Sequence, residues 1–286
     1  IPIGANLGGM GTPIGTPPNA FAYKVLNDPT GMNMDISFGD WMMFMVPLVL
    51  VLLVISWLLL KWFFPFKQKT IELEINGDMQ HNWRTVVVAI TFAVTIILWV
   101  FGKPIGINAN MVAMLPIAVF AFTGVITAKD LQDIDWGVIW MVAGGFALGL
   151  AMNGTGLAKT AMDAIPFGEW SPIVILVISG LVTFFLSNFI SNTATAALMI
   201  PILAVVCEGM GDKLNIIGGT STVLIGIAVA ASAAMCLPIS TPPNAIAYST
   251  GLIEQKDMSK TGLSVGIITL SLGSSLLIVL GKQGLF

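Results

Sequence analysis

The sequence predicts an all-α polytopic membrane protein built around a duplicated, broken helix, and three observations predict it. Charged residues make up 9% of the 286 residues against 56% hydrophobic ones, with a mean hydropathy of +0.92. Several intervals without any charge are at least as long as a bilayer crossing, which takes about 20 apolar residues. Residues 10–23 recur 225 positions later as residues 235–248.

The composition excludes the common alternatives. An ordinary soluble domain carries about 25% charge, and a disordered chain needs high charge with few apolar residues. A net charge of −3, with no basic cluster beyond the neighbourhood of Lys67 and Lys69, speaks against a nucleic-acid partner. Cys207 and Cys236 lie in long apolar stretches, where thiols behave as small hydrophobes rather than as a disulfide framework. The chain starts at Ile1 without a basic n-region, so its first residues do not read as a signal peptide, and it reads as a piece of something longer.

The charge-free intervals set the order of the passes. Residues 41–60, with an apolar extension to Pro65, form the first full pass; residues 85–102, 104–128 and 136–158 form three more, and residues 261–280 the last. Two intervals are twice as long: residues 170–207 hold 38 uncharged residues and residues 214–253 hold 40. Each carries a polar knot near its middle, Ser187 to Thr193 in one and Pro238 to Asn244 in the other. The first reads as a re-entrant hairpin. The second reads as one pass broken at residues 241–243, since consecutive prolines remove donors and clash with the preceding turn. A proline-kinked continuous helix is the alternative. The polar segments are a Gly/Asn/Asp-rich connection at 27–40 and a loop at 67–84 that holds His81, read as solvated.

The repeat sets the architecture. Met10, Pro13, Ile14, Thr16, Pro17, Pro18, Asn19, Ala20, Ala22 and Tyr23 match Met235, Pro238, Ile239, Thr241, Pro242, Pro243, Asn244, Ala245, Ala247 and Tyr248. With Lys61, Lys67, Lys69 and Arg84 placing the 67–84 loop on the cytoplasmic side, counting passes sends the two copies through the membrane in opposite directions. Inverted broken helices that meet at the midplane are the architecture of secondary transporters.

Helix starts at the two Pro-Pro pairs and after Asn192-Thr193 would aim free N–H groups and about half a positive charge each at the membrane centre. That suits an anion, and exposed carbonyls of the same breaks suit a small hard cation such as sodium. The other reading is that these Ser, Thr and Asn residues only cap buried helix ends. A proton relay would need intramembrane Asp, Glu or His, whereas Asp135, Asp163 and Glu169 lie at segment ends. An intramembrane hydrolase would need a base beside Ser187 or Ser191, and none is available, so an enzyme is not expected.

Ser191-Asn192-Thr193, Gly15-Thr16-Pro17-Pro18-Asn19-Ala20 and Ser240-Thr241-Pro242-Pro243-Asn244-Ala245 resemble, in order and separation, the motifs of the divalent anion/sodium symporter family of dicarboxylate and citrate carriers. The resemblance implies an inverted-repeat, elevator-type homodimer in the lipid of the cytoplasmic membrane, coupling Na+ to uptake of succinate, malate or fumarate. The alternatives are a Na+-independent dicarboxylate exchanger, which the motifs do not separate from a symporter, and a carrier of sulfate or another divalent anion with the same fold. It implies substrate contacts at Asn192, Thr193, Thr241, Pro242 and Thr16. One sodium would be held by Ser187, Ile190, Asn192 and Ser240, and another near Gly15, with Ile190, Ser240 and Gly15 acting through backbone carbonyls. A partner Ser-Asn-Thr motif is implied about 34 residues before Ile1. By the same resemblance, residues 1–66 close the first repeat within the transport domain and residues 67–84 form a cytoplasmic loop. Residues 85–158 supply scaffold and dimerisation helices, and residues 159–286 supply the hairpin, broken helix and last pass of the transport domain.

Overall fold

The computed structural model describes residues 1–28, 32–65, 82–102, 105–107, 109–132 and 170–285, with scattered positions between 133 and 169. Most of the expected pass at 136–158 and most of the 67–84 loop, His81 included, fall outside the described residues. Among the described residues every regular element is helical: α1 Pro2–Gly9, α2 Pro17–Leu26, α3 Phe38–Phe63, α4 Trp83–Phe101, α5 Ala109–Thr123, α6 Ala128–Gln132, α7 Pro172–Phe189, α8 Asn192–Met210, α9 Gly219–Ala233, α10 Pro242–Ser249 and α11 Gln255–Lys282, with a 3-10 turn Gly211–Ile217 after α8. The chain divides into two compact units. One comprises Ile1–Ile36, Trp41–Phe63 and Gly137–Phe286, the other Ser37–Asp40 and Phe64–Trp136.

Five of these helices are long and apolar enough to cross a membrane: α3, α4, α7, α8 with its 3-10 turn, and α11. In α4 the polarity is reversed from that of a helix in a soluble protein. Its buried residues are Thr91 and Thr95, one turn apart, while Val86, Ile90, Phe92 and Ile97 are exposed. Thr95 Oγ1 donates back to the Thr91 carbonyl at 2.7 Å, so the buried hydroxyl is satisfied within its own helix. Helices with apolar residues outward and hydroxyls inward are at equilibrium in lipid and not in water. The chain is therefore an all-α, multi-pass membrane protein.

In the larger unit α9 is the hub, with every residue from Ser221 to Ala233 buried, and it packs against α2, α7, α8 and α11. Its small residues let neighbours approach closely, as helices do where lipid removes the hydrophobic drive for association. The facing stripe on α11 is also small. A Cβ on Gly262 would overlap the Met235 carbonyl and lie 2.7 Å from Cys236 Cα, and one on Gly266 would lie 2.6 Å from the Phe184 ring. Both cysteines are free and buried in this packing. In the smaller unit α4 packs on α5, and Asn82 caps α4 by accepting from Thr85 N at 2.9 Å.

Two expectations need correction. Among the described residues, the pass expected at 104–128 holds α5, whose 15 residues span about 22 Å. A charge-free interval measures composition, and the left-handed Gly124, at φ +68°, ends the helix well inside it. The break in the 214–253 interval also starts earlier than expected. α9 ends at Ala233, and residues 234–241 are unwound up to the first helical residue, Pro242. The prolines begin the next helix rather than break the previous one, because proline at the first helical position sacrifices no intrahelical bond.

Gly262→Ala is expected to destabilise the protein by about 1–3 kcal/mol through overpacking. Gly8→Ala, where a Cβ meets nothing within 4 Å, is expected to be neutral or slightly stabilising. Thermal unfolding of the detergent-solubilised variants checks this, and equal midpoints would contradict it.

Candidate functional site

Both breaks are held open by the same device. Asn19 Nδ2 donates to the carbonyls of Gly9, Met10 and Thr12 at 3.3, 3.1 and 2.9 Å. Asn244 Nδ2 donates to the carbonyls of Met235 and Leu237 at 2.8 and 3.1 Å. Met10 and Thr12 become positions 235 and 237 under the repeat shift, so the sequence repeat is also a repeat of hydrogen bonds. The chemistry explains the residue: a helix that stops inside the protein orphans its last carbonyls, and a carboxamide offers two donors on a short stem. The first break is the tighter one. Cβ atoms on Gly9 and Gly15 would crowd each other's backbone, whereas the equivalent positions are Ala234 and Ser240.

Further side chains close the second break. Cys236 N donates to Asn188 Oδ1 at 2.9 Å, Ser259 Oγ donates to the Cys236 carbonyl at 3.0 Å, and Ser240 Oγ donates to the Leu237 carbonyl at 2.6 Å. Partners from α7, α10 and α11 thus replace the helical bonds lost between Ala233 and Pro242. At the first break Trp41 Nε1 donates to the Met10 carbonyl at 3.3 Å.

The hairpin tip meets the second break. α7 and α8 are joined by Ile190 and Ser191 alone, with Ser191 as the cap of α8 through a bond from Ala194 N at 3.2 Å. Asn192 and Thr193 are therefore the first two helical residues. Asn192 N donates to the Ser240 carbonyl at 3.3 Å, and Ser187 Oγ donates to the Ala231 carbonyl at 2.8 Å. Thr241 caps α10, accepting from Asn244 N at 3.4 Å. The N-termini of α8 and α10 consequently lie at one junction, with Ser187, Asn192, Thr193, Ser240 and Thr241 buried around it and Ile190 and Pro242 exposed.

The first break adjoins the same place. Thr16 Oγ1 lies 3.1 Å from Ser232 Oγ, one residue from the carbonyl that holds Ser187. Thr16 makes no side-chain cap bond, so its hydroxyl serves α9 rather than its own helix; Gly15 beside it is exposed. The last turn of α9 thus brings Thr16 and Ser187 to one region. No three His, Cys, Asp or Glu residues cluster among the described residues, and the oxygens at the junction are neutral hydroxyls, amides and carbonyls. Such a donor set fits a hard monovalent cation and gives no tight transition-metal site.

Sequence reasoning missed Asn188, Ser232 and Ser259, and treated Asn19 and Asn244 as motif members without a task. The asparagines were within reach, since both copies place them nine residues after a Met at the helix end. Asn188 lies in the Ser187 to Thr193 polar knot but has no task assigned there, and Ser232 and Ser259 carry no sequence signal, because only the fold brings them to the break.

The model of the citrate transporter family, CitMHS, matches residues 1–223, more than three quarters of the chain. The chain belongs to the citrate transporter family. This citrate transporter family member is 30% identical over 287 residues to an uncharacterized transporter of Haemophilus influenzae, covering 94% of the chain and 59% of that relative. It is 29% identical over 291 residues to a sodium-dependent dicarboxylate transporter of Staphylococcus saprophyticus, covering 92% of the chain and 54% of the relative. A protein of the same description from Staphylococcus aureus strain USA300 is 30% identical over 289 residues. The chain spans a little over half the length of these relatives. The family resemblance read from the motifs is borne out, and the chain is a multi-pass membrane protein of that family.

Asn188→Ala leaves the Cys236 N–H without its acceptor and is expected to lower stability by about 1–3 kcal/mol. Thermal unfolding in detergent reads the loss, and an unchanged midpoint would show that Asn188 is dispensable to the break.

Proposed function

We propose that the protein is a secondary active transporter that moves small dicarboxylates such as succinate, malate or fumarate across the cytoplasmic membrane, coupled to Na+. The observation that carries this reading is the convergence of two helix N-termini, α8 and α10, on a buried junction furnished only with neutral polar groups. Each N-terminus presents free N–H groups and about half a positive charge, so an anion is attracted without a buried cation that would have to be neutralised on release. The first substrate carboxylate binds at Asn192 and Thr193 with Thr241 and Pro242, and Thr16 faces the site from the first break.

A dianion held by dipoles alone gains from a nearby cation. Sodium binds Ser187, Asn192 and the carbonyls of Ile190 and Ser240, with a second ion near the Gly15 carbonyl. Binding of ion and anion is mutually reinforcing, because linkage is reciprocal. Support for the ion and the substrate class comes from the Staphylococcus relatives, which are described as sodium-dependent dicarboxylate transporters.

The two copies run in opposite directions as an inverted repeat. In support, the first helix of each copy packs against the second helix of the other, α1 on α10 and α9 on α2. The broken helices, the hairpin and the last pass form a mobile transport domain (residues 1–66 and 159–286), the helices within 85–158 form a scaffold and homodimer contact, and transport is an elevator movement between them.

The test is uptake of labelled succinate by the full-length protein in liposomes, under an imposed sodium gradient and, separately, under a counter-substrate gradient. Uptake with the sodium gradient is expected, and absence under both gradients would overturn the proposal. Uptake under the counter-substrate gradient alone, or its loss to excess sulfate, would redirect it to exchange or to inorganic anions. Asn192→Ala and Thr241→Ala are each expected to reduce uptake at least about a hundredfold with the fold intact. Near-normal uptake in either would remove that residue from the site.

A further inference from the structure

The two copies of the break are satisfied differently. Asn244 Oδ1 accepts from Asn6 Nδ2 at 3.0 Å, a buried bond in which the first copy donates to the second. The repeat counterpart of Asn6 is Ala231, which has no side-chain donor, and Asn19 Oδ1 is buried without a hydrogen-bond partner. Of the two motif asparagines, only Asn244 has its oxygen claimed by the other copy.

That difference falls on the residue around which the second break is organised. The Asn244 side chain holds the Met235 and Leu237 carbonyls, and its backbone N–H is held by Thr241 Oγ1. Ser240 Oγ also donates to the Leu237 carbonyl, and the Ser240 carbonyl receives Asn192 N. The oxygen and nitrogen ends of a carboxamide have almost the same shape, so sterics alone do not stop Asn244 from turning over. Turned over, it would aim an acceptor at two carbonyls and release the unwound segment. The two carbonyls at Nδ2 oppose this, and a donor in contact with Oδ1 adds to them; Asn6, only 5% exposed on α1, is that donor.

We infer that Asn6 is a positioning residue for the second half-site: its amide, supplied by the first copy, fixes the orientation of Asn244 and through it the segment from Leu237 to Thr241. The inference rests on the sodium-coupled reading above, because that segment carries the Ser240 carbonyl and the Thr241 cap. Without the donor, the fraction of molecules with a competent site falls, and apparent affinity falls with that fraction. Turnover of carriers that are already loaded is much less affected. A residue that only filled space would lower stability and leave this split absent.

The experiment is sodium titration of succinate uptake by the reconstituted full-length protein, comparing the unsubstituted carrier with Asn6→Leu, which keeps much of the volume, and Asn6→Asp, which keeps the shape. The carboxylate and the alkyl group both lack a donor. Half-saturating sodium is expected to rise about tenfold in both, the order of effect of orphaning one buried acceptor, with maximal rate within about threefold. Unchanged half-saturation in the variants, with the unsubstituted protein sodium-dependent, overturns the inference and leaves the proposed function standing. No sodium response in the unsubstituted protein overturns both. If Asn6→Leu does not fold, Asn6→Asp decides; failure of both to fold marks Asn6 as structural and overturns the positioning role.

Discussion

Backbone that unwinds within a membrane-spanning protein must find hydrogen-bond partners for its buried groups, since each unpaired N–H or C=O in an apolar medium costs several kcal/mol. Two such stretches organise this protein, one ending α1 and one ending α9. Every conspicuous feature around them answers that demand. Asn19 and Asn244 reach back to the carbonyls they orphan, and Asn188, Ser240 and Ser259 close the remainder of the second break. The glycines of α11 let that helix approach closely enough for Ser259 to reach the Cys236 carbonyl.

The same demand creates the chemistry. A helix that ends and another that begins inside the protein leave carbonyls at one terminus and N–H groups at the other. The carbonyls that find no amide suit a cation, and the N–H groups suit an anion. A site built this way needs no buried Lys, Arg, Asp or Glu, in keeping with a chain of 9% charge and with the neutral residues around Asn192 and Thr241. In the proposed function the two ligands share one loop: Ser240 and Thr241 are consecutive, so whatever orders one orders the other. Coupling, on that proposal, is a property of the backbone rather than of a pair of opposed charges.

Much of this was legible in the sequence. The 38- and 40-residue charge-free intervals placed the hairpin and the second broken helix, and the Thr-Pro-Pro-Asn-Ala repeat identified the breaks as a pair. What escaped did so for physical reasons. The break after Ala233 lies eight residues before Pro242 because the chain unwinds where side-chain partners exist, not where prolines stand, and those partners come from α7, α10 and α11. The interval at 104–128 promised a full pass, but freedom from charge says nothing about where a glycine turns the chain. Asn6 carries no signal in the sequence, and only the fold puts it against Asn244.

The most direct test of a shared ion and anion site at the α8–α10 junction is a high-resolution map of the full-length protein in the presence of sodium and succinate. Density for a carboxylate against the first turn of α8 and α10, beside Asn192, Thr193 and Thr241, with an ion near Ser187 and the Ser240 carbonyl, is the expected result. Succinate bound away from both helix ends, with this junction closed by protein groups, would contradict it.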